Sequence, residues 1–316
     1  MFLCWRVRPP AEGRFLNDSP GAASAVILIN QGGGSAGGDD VADKVRAALA
    51  EAGIDGEVEL LDGAKCAERA AEAVAGKVPL VIAGGGDGTI SAAAGAIAGS
   101  GTVLGVLPLG TLNHFARDLG IPFDIAEACK IIAAGRTQKV DVAELNGRVF
   151  INNSALGLYP LMVADREVQQ KRLGRSKRLA LLVASIRTLI RFRHQRLRLT
   201  VNDSQTATID TSLLFVGNND YGISLPAAGK RESLSDGELC VMVLRKKGRL
   251  GLAAASLRAL VGLRRRDDMI RLDHVKTIKV DSRRSHLTVA VDGETVQLPA
   301  PLEYRIRPRA LLVIGS

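Results

Sequence analysis

Six residues with the sequence GGGDGT, at positions 84–89, directly follow an apolar run at 78–83 and precede a run of small residues up to position 98. The apolar run is typical of a buried strand, and the small residues are compatible with a helix. Glycines at such a turn let the backbone approach a phosphate closely, and a helix start favours an anion. An aspartate there can also hold a magnesium ion. The segment therefore predicts a nucleotide phosphate site, with an unliganded βα turn as the alternative.

Strand-like runs alternate with helical patterns up to about residue 140. This alternation predicts an α/β fold with a mostly parallel, doubly wound sheet. Strands are predicted at residues 25–30, 57–61, 78–83 and 102–107, and helices at 39–52, 64–75 and 124–134, the last with Asp124 as its N-cap.

Strand-like runs then follow one another, and several of them alternate apolar and polar residues. They predict an antiparallel β-sandwich, with Asn146-Gly147 as a hairpin turn. The domains are accordingly predicted at 25–140 and 141–316, with a last strand that can return to the first domain. The predicted strands are residues 139–145, 148–153, 197–201, 206–216, 238–244, 275–280 and 286–291.

The N-terminal 24 residues contain charged side chains and lack the apolar core of a signal peptide, so we expect a disordered leader or a start codon placed too early. No apolar run approaches the roughly 20 residues of a membrane span. Four scattered cysteines without metal-ligand spacing favour a reducing cytoplasm and roles in packing: Cys4, Cys66, Cys129 and Cys240.

The formal net charge of +9 is concentrated in two blocks without any acidic residue. Residues 171–199 contain ten basic side chains and residues 245–266 contain eight, so the rest of the chain is net acidic. Each block includes an apolar helical stretch. Such helices can lie on an anionic bilayer, or they can be ordinary amphipathic helices that cover the β-sheet.

A second polar turn, PLGTLNHFAR at 108–117, follows the neighbouring predicted strand. Because successive strand ends of a parallel sheet face one crevice, Gly110, Thr111, Asn113 and Arg117 can meet the glycine turn across a nucleotide. The alternative is a turn in which Thr111 or Asn113 caps a short helix. His114 is interpreted as a packing or surface residue rather than a base. The GxGxxG pattern at 32–37 is only weak evidence for a dinucleotide-binding unit, because a stretch this rich in glycine matches the pattern by chance.

Together, the GGGDGT and PLGTLN segments resemble the catalytic domain of diacylglycerol kinases and related bacterial lipid kinases. The resemblance extends to Gly217-Asn218, to SDGE at 235–238 and to VDGE at 291–294, and it covers residues 25–315. It implies an N-terminal domain like that of NAD kinases and diacylglycerol kinases, followed by a β-sandwich that binds the acceptor lipid and carries the inserted basic helices. NAD kinases share the glycine–aspartate turn, but PLGTLN and the late DGE favour the lipid branch.

The resemblance implies ATP as phosphate donor and Mg²⁺ as metal. The implied nucleotide contacts are Asn30, Gly34, Ser35, Gly85, Gly86, Asp87, Gly88, Thr89, Ile90, Ser91, Thr111 and Asn113. The implied metal ligands are Ser233, Asp236 and Glu238. Asp87 and Glu294 are the implied catalytic residues, and Glu294 is the base, since a lipid hydroxyl that attacks a γ-phosphate needs a carboxylate to accept its proton. From the sequence alone, Glu294 is read rather as a hairpin residue after the Asp292-Gly293 turn.

Two segments depart from the family pattern: the loop after Asn30 is longer, and the segment after Asn218 has fewer glycines. The sequence therefore does not identify the lipid that accepts the phosphate. We expect a lipid substrate at an anionic membrane surface, no nucleic-acid partner, and a cytoplasmic, peripherally membrane-associated protein, with a homodimer left open. The alternatives are a soluble NAD kinase-like enzyme and a catalytically silent homologue that binds nucleotide or membrane.

Overall fold

The computed structural model describes residues 25–32, 39–158, 160, 194–221, 231–245 and 269–316. The predicted leader, Gly34, Ser35 and most of both basic blocks lie outside the described residues. No helix within the described ranges has both the length and the apolar character that crossing a membrane requires.

The N-terminal half is the predicted parallel α/β unit. Its elements in chain order are β1 (Ala25–Asn30), α1 (Asp39–Glu51), β2 (Gly56–Leu61), α2 (Gly63–Ala75), β3 (Leu80–Gly85), α3 (Asp87–Ile97), β4 (Val103–Pro108), α4 (His114–Asp118) and α5 (Ile125–Ala134). The strands pair in the order β2-β1-β3-β4, all parallel. The central strands are buried apolar runs because helices cover them, with α1 packed on α5 and α2 on α3. The predicted cap is confirmed: the side chain of Asp124 accepts a hydrogen bond from Glu127 N.

The C-terminal half contributes twelve more strands among the described residues. They are β5 (Thr137–Leu145), β6 (Arg148–Phe150), β7 (Asn153–Gly157), β8 (Gln195–Val201), β9 (Gln205–Thr211), β10 (Leu213–Asn218), β11 (Leu239–Leu244), β12 (Met269–Val275), β13 (Thr277–Ser282), β14 (His286–Val291), β15 (Glu294–Pro299) and β16 (Leu302–Ile314). Strands β7, β10, β11, β12, β14 and β15 form an antiparallel six-stranded sheet.

Strand β16 connects the two halves. Its C-terminal end pairs parallel with β4, where Leu312 lies opposite Val103, and its N-terminal part pairs antiparallel with β13. It also pairs along its length with β5. The parallel strands therefore continue directly into the antiparallel ones as one ten-stranded sheet. Eight strands follow the order β2-β1-β3-β4-β16-β13-β8-β9, and the other two branch from it, β5 pairing with β16 and β6 with β5.

The β-sandwich closes around a second apolar core. Side chains of both sheets meet in it, including Leu145 and Tyr304 from the long sheet and Val216 and Val289 from the six-stranded sheet. Phe150 and Tyr304 pack edge to face, with ring centroids 6.3 Å apart. Of the cysteines, Cys66, Cys129 and Cys240 are buried free thiols, and burial raises the pKa of the Cys129 thiol to about 11.

Two of the predicted strands are wrong in extent. Residues 148–153 form β6 and β7, which belong to different sheets, because the chain crosses between the sheets at Ile151 and Asn152. Residues 206–216 likewise divide at Ser212 into β9 and β10, again in different sheets. The predicted Asn146-Gly147 turn is confirmed, since both residues have positive φ and join β5 to β6.

We expect Phe150→Ala to lower the free energy of unfolding by about 3–5 kcal/mol, because it removes a fully buried ring from the second core. Chemical denaturation monitored by circular dichroism measures the change. Phe123→Ala is the matched control, since that ring is 53% exposed and its loss should cost less than about 1 kcal/mol. Equal losses in the two variants would contradict this view of the core.

Candidate functional site

Two glycine turns meet at the ends of β3 and β4. Gly86 is the N-cap of α3, and a Cβ on Gly110 would overlap the Cα of Gly86. The two turns thus approach more closely than residues with side chains allow. They form one side of a crevice at the carboxyl ends of parallel strands, which is where open α/β sheets bind ligands.

The end of β1 is joined to the same place. The side chain of Asn30 donates to Thr89 Oγ1 at 2.6 Å and accepts from Gly32 N at 2.9 Å. Three predicted nucleotide contacts, at Asn30, Gly86 and Thr89, therefore surround the first turn of α3. The Ile90 side chain lies in the apolar core, so a nucleotide contact there involves its backbone.

Asn113 holds the second glycine turn in shape. Asn113 is buried and has a φ of 49°. Its side-chain Nδ2 donates to Pro108 O and Gly110 O, and its Oδ1 accepts from Gly110 N at 3.0 Å. These bonds engage both ends of the amide within the turn. Thr111 is exposed beside it. Asn113, a predicted nucleotide contact, thus stabilises the turn through hydrogen bonds within it.

Asp87 is the first residue of α3, where the helix dipole favours a negative charge. Its Oδ1 accepts a hydrogen bond from Phe115 N at 3.3 Å and lies 3.5 Å from Asn152 Nδ2. The carboxylate therefore stands where the β3 turn, α4 and the crossover between the two sheets come together. Among the described residues, its Oδ2 accepts no hydrogen bond, which leaves that oxygen available to a ligand.

Glu294 reaches α3 from the opposite half of the chain. It is the first residue of β15, directly after the turn at Asp292 and Gly293, both of which have positive φ. A Cβ on Gly88 would lie 3.0 Å from Glu294 Oε1, and Arg148 Nη2 lies 2.8 Å from Glu294 Oε2. Glu294 is therefore a hairpin residue, and the hairpin brings its carboxylate to the residue that follows Asp87.

Asp292 links the Glu294 hairpin to α3 and to the crossover between the sheets, a role that its place in the VDGE segment does not by itself indicate. Its carboxylate accepts hydrogen bonds from Ile151 N, Asn152 N and Asn153 N, each at 2.9 Å, and from the Ser91 hydroxyl. Desolvation raises its pKa, although these four bonds favour the charged form. The hydroxyl of Ser91, a predicted nucleotide contact, donates its hydrogen bond to this carboxylate.

The three predicted metal ligands line one cavity of about 410 Å³ in the C-terminal half. Glu238 pairs with His274 Nδ1 at 2.9 Å, and Asp236 Oδ2 lies 3.5 Å from Asp220 N. The oxygens of Ser233, Asp236 and Glu238 are the kind of ligand that Mg²⁺ prefers. Within the described part of the chain, however, no three acidic, histidine or cysteine side chains converge on one point as metal ligands.

Fold and site together define a two-part protein. A parallel α/β unit with a glycine-lined crevice is joined to an antiparallel β-sandwich that brings the Glu294 carboxylate to the start of α3. The model of the diacylglycerol kinase catalytic domain matches residues 24–145, and that of the YegS C-terminal NAD kinase beta sandwich-like domain matches residues 162–315. The chain belongs to the diacylglycerol kinase and YegS-like lipid kinase family.

Individual relatives agree with this assignment. A Klebsiella pneumoniae protein named "Probable lipid kinase YegS-like" is 48% identical over 88 residues, which are 27% of this chain and 30% of that protein's length. A diacylglycerol kinase of Staphylococcus aureus is 29% identical over 217 residues, covering 68% of each chain.

Solved structures show the same fold. A diacylglycerol kinase structure from Bacillus anthracis superposes with a TM-score of 0.66 at 20% identity, covering 93% of this chain and 97% of that one. An NAD kinase from Archaeoglobus fulgidus, solved in complex with ATP, gives a TM-score of 0.53 at 12% identity, covering 92% of this chain and 93% of its own.

We expect Gly110→Ala to lower the free energy of unfolding by about 1–3 kcal/mol, because the new methyl group would push the two glycine turns apart. Gly101→Ala is the matched control, since a Cβ there has no neighbour within 4 Å. Thermal unfolding of the two variants measures the difference. Equal melting temperatures would show that the turns can separate at no cost.

Proposed function

We propose that this protein is an ATP- and Mg²⁺-dependent lipid kinase that transfers the γ-phosphate of ATP to a lipid hydroxyl such as that of diacylglycerol. One observation carries the proposal: the carboxylate of Glu294 meets α3 at Gly88, directly beside Asp87. A glycine crevice suited to a phosphate donor and a carboxylate suited to an alcohol acceptor thus share one helix start. Phosphoryl transfer to an alcohol requires both.

The donor side is formed by the turns at the ends of β1, β3 and β4. Gly86 and Gly110 let the two turns pack directly against each other, and α3 directs its first N–H groups and its dipole toward the crevice that these turns border. Asp87 contributes here the carboxylate oxygen that accepts no hydrogen bond from the described residues. In the proposed function, Asp87 positions the triphosphate together with its metal.

The acceptor side is the cavity between α3 and the β5–β6 and β14–β15 hairpins. It has a volume of about 320 Å³, and its lining includes Gly88, Ser91, Arg148 and Glu294. Glu294 is 58% exposed, so a hydroxyl group can reach its carboxylate from solvent or from a lipid surface. In the proposed reaction, Glu294 accepts the proton of the attacking hydroxyl.

The proposed metal ligands are Ser233, Asp236 and Glu238, whose oxygens share the 410 Å³ cavity. When bound, Mg²⁺ would supply positive charge that offsets the carboxylates around it. The proposed encounter with a membrane rests on the basic blocks, where each lysine or arginine near an anionic surface contributes about 1 kcal/mol of attraction. This would make the protein cytoplasmic and peripherally bound.

Transfer of labelled phosphate from ATP to diacylglycerol or to a lipid extract in mixed micelles tests the proposal. We expect near-complete loss of transfer in Asp87→Ala, since the donor is no longer positioned. Glu294→Gln should lower kcat by about 10²- to 10⁴-fold, the usual contribution of a general base, with ATP binding retained. Glu57→Gln, an exposed acid on β2, is the matched control and should transfer phosphate like the wild type.

Each alternative has its own outcome in the same assay. Full activity of Glu294→Gln would remove the assignment of the base. Phosphorylation of NAD without any lipid would favour a soluble NAD kinase-like enzyme. ATP binding without a phosphorylated product from any lipid pool would identify a catalytically silent homologue.

A further inference from the structure

An arginine behind the glycine crevice is completely enclosed. The side chain of Arg231 has 0% exposure, and its partner Asp118, at the end of α4, has 9%. Arg231 Nε donates to Asp118 Oδ2 at 2.7 Å, and Nη1 donates to Ile151 O and Asn218 O at 2.5 and 3.3 Å. Nη2 donates to Asn152 Oδ1 at 3.1 Å. Every guanidinium nitrogen therefore has an acceptor.

Aromatic rings complete the enclosure. The guanidinium carbon of Arg231 lies 5.8 Å from the ring centroid of Phe115 and 5.5 Å from that of Tyr221. Arg231 thus contacts α4, the crossover between the sheets and the end of β10 at the same time. An enclosed ion pair is weak evidence for stability, because a well-packed apolar pair often serves as well. The planar donors of the Arg231 guanidinium do, however, fix the orientation of the acceptor groups that they bind.

Two of the groups that Arg231 contacts also reach Asp87. Because Arg231 Nη2 donates to Asn152 Oδ1, the amide nitrogen of Asn152 is left facing Asp87 Oδ1, at 3.5 Å. Phe115, whose ring lies against the guanidinium, donates its backbone N–H to the same Asp87 oxygen. Both residues that donate to Asp87 Oδ1 within the described ranges, Asn152 and Phe115, therefore contact the side chain of Arg231.

We infer that Arg231 is a positioning residue, which acts through Asn152 and Phe115 to orient the Asp87 carboxylate toward the phosphate donor. This inference rests on the proposed function, since it takes Asp87 to act on MgATP. A lysine at position 231 would keep the positive charge but lacks the planar fork that holds Asp118 and Asn152 together.

Binding of MgATP in the absence of lipid tests the inference by a double-mutant cycle, measured by isothermal titration calorimetry. Asp87→Asn and Arg231→Lys should each weaken MgATP binding by about tenfold. The double variant should bind no more weakly than Asp87→Asn alone, because Arg231 acts only through Asp87. Arg305→Lys is the matched control: this arginine pairs with Glu144 on β5, away from Asp87, and its variant should bind like the wild type.

A purely structural role of Arg231 would give a different result. Arg231→Lys would then lower the melting temperature but bind MgATP with wild-type affinity, or its effect would multiply with that of Asp87→Asn. If Arg231→Lys does not fold, Asp118→Asn/Arg231→Gln removes both enclosed charges together, and it should still weaken MgATP binding. Wild-type affinity in that pair would overturn the inference.

The cycle separates the inference from the proposed function. A wild-type protein that binds MgATP but phosphorylates no lipid would refute the lipid acceptor and leave the cycle to decide on Arg231. A wild-type protein that binds no MgATP would overturn both.

Discussion

The carboxylate of Asp292 determines how the two halves of the molecule meet. Three consecutive N–H groups, at residues 151–153, turn toward it where the chain leaves one sheet for the other. Without an acceptor, these enclosed donors would each cost about 1–3 kcal/mol. Ser91 binds the same carboxylate from α3. Because Glu294 stands two residues further on, the turn that satisfies the crossover also places Glu294 at the start of α3.

The local features of this fold were predictable because neighbouring residues determine them. The buried run of β1 was predicted to the residue, and Asp124 caps α5 as expected, since apolar periodicity and caps depend on a few adjacent positions. The Asn146-Gly147 hairpin belongs to the same group. The order of motifs along the chain likewise indicated the family before any geometry was known.

What the sequence did not reveal depends on distant partners. Residues 148–153 read as one strand because nothing nearby indicates that Asp292, some 140 positions later, draws the backbone out of its sheet. Spacing also cannot tell whether a polar side chain beside a glycine turn faces a ligand or the protein. Ser91 and Asn113 were both predicted as nucleotide contacts, and the described hydrogen bonds of their side chains are internal.

The charges around the site fall into two kinds with different consequences. Arg231, Asp118 and Asp292 are surrounded by fixed partners, so any movement of α4 or of the crossover would leave a charge without its hydrogen bonds, at a cost of several kcal/mol. Arg148 and Glu294 form an exposed pair instead, and such pairs contribute about 0–1 kcal/mol. Glu294 can therefore exchange its arginine for a hydroxyl group at little cost, while the surroundings of Asp87 stay fixed. The proposed phosphoryl transfer would use this combination, because the donor would be held rigidly while the proposed base changes partners within each cycle.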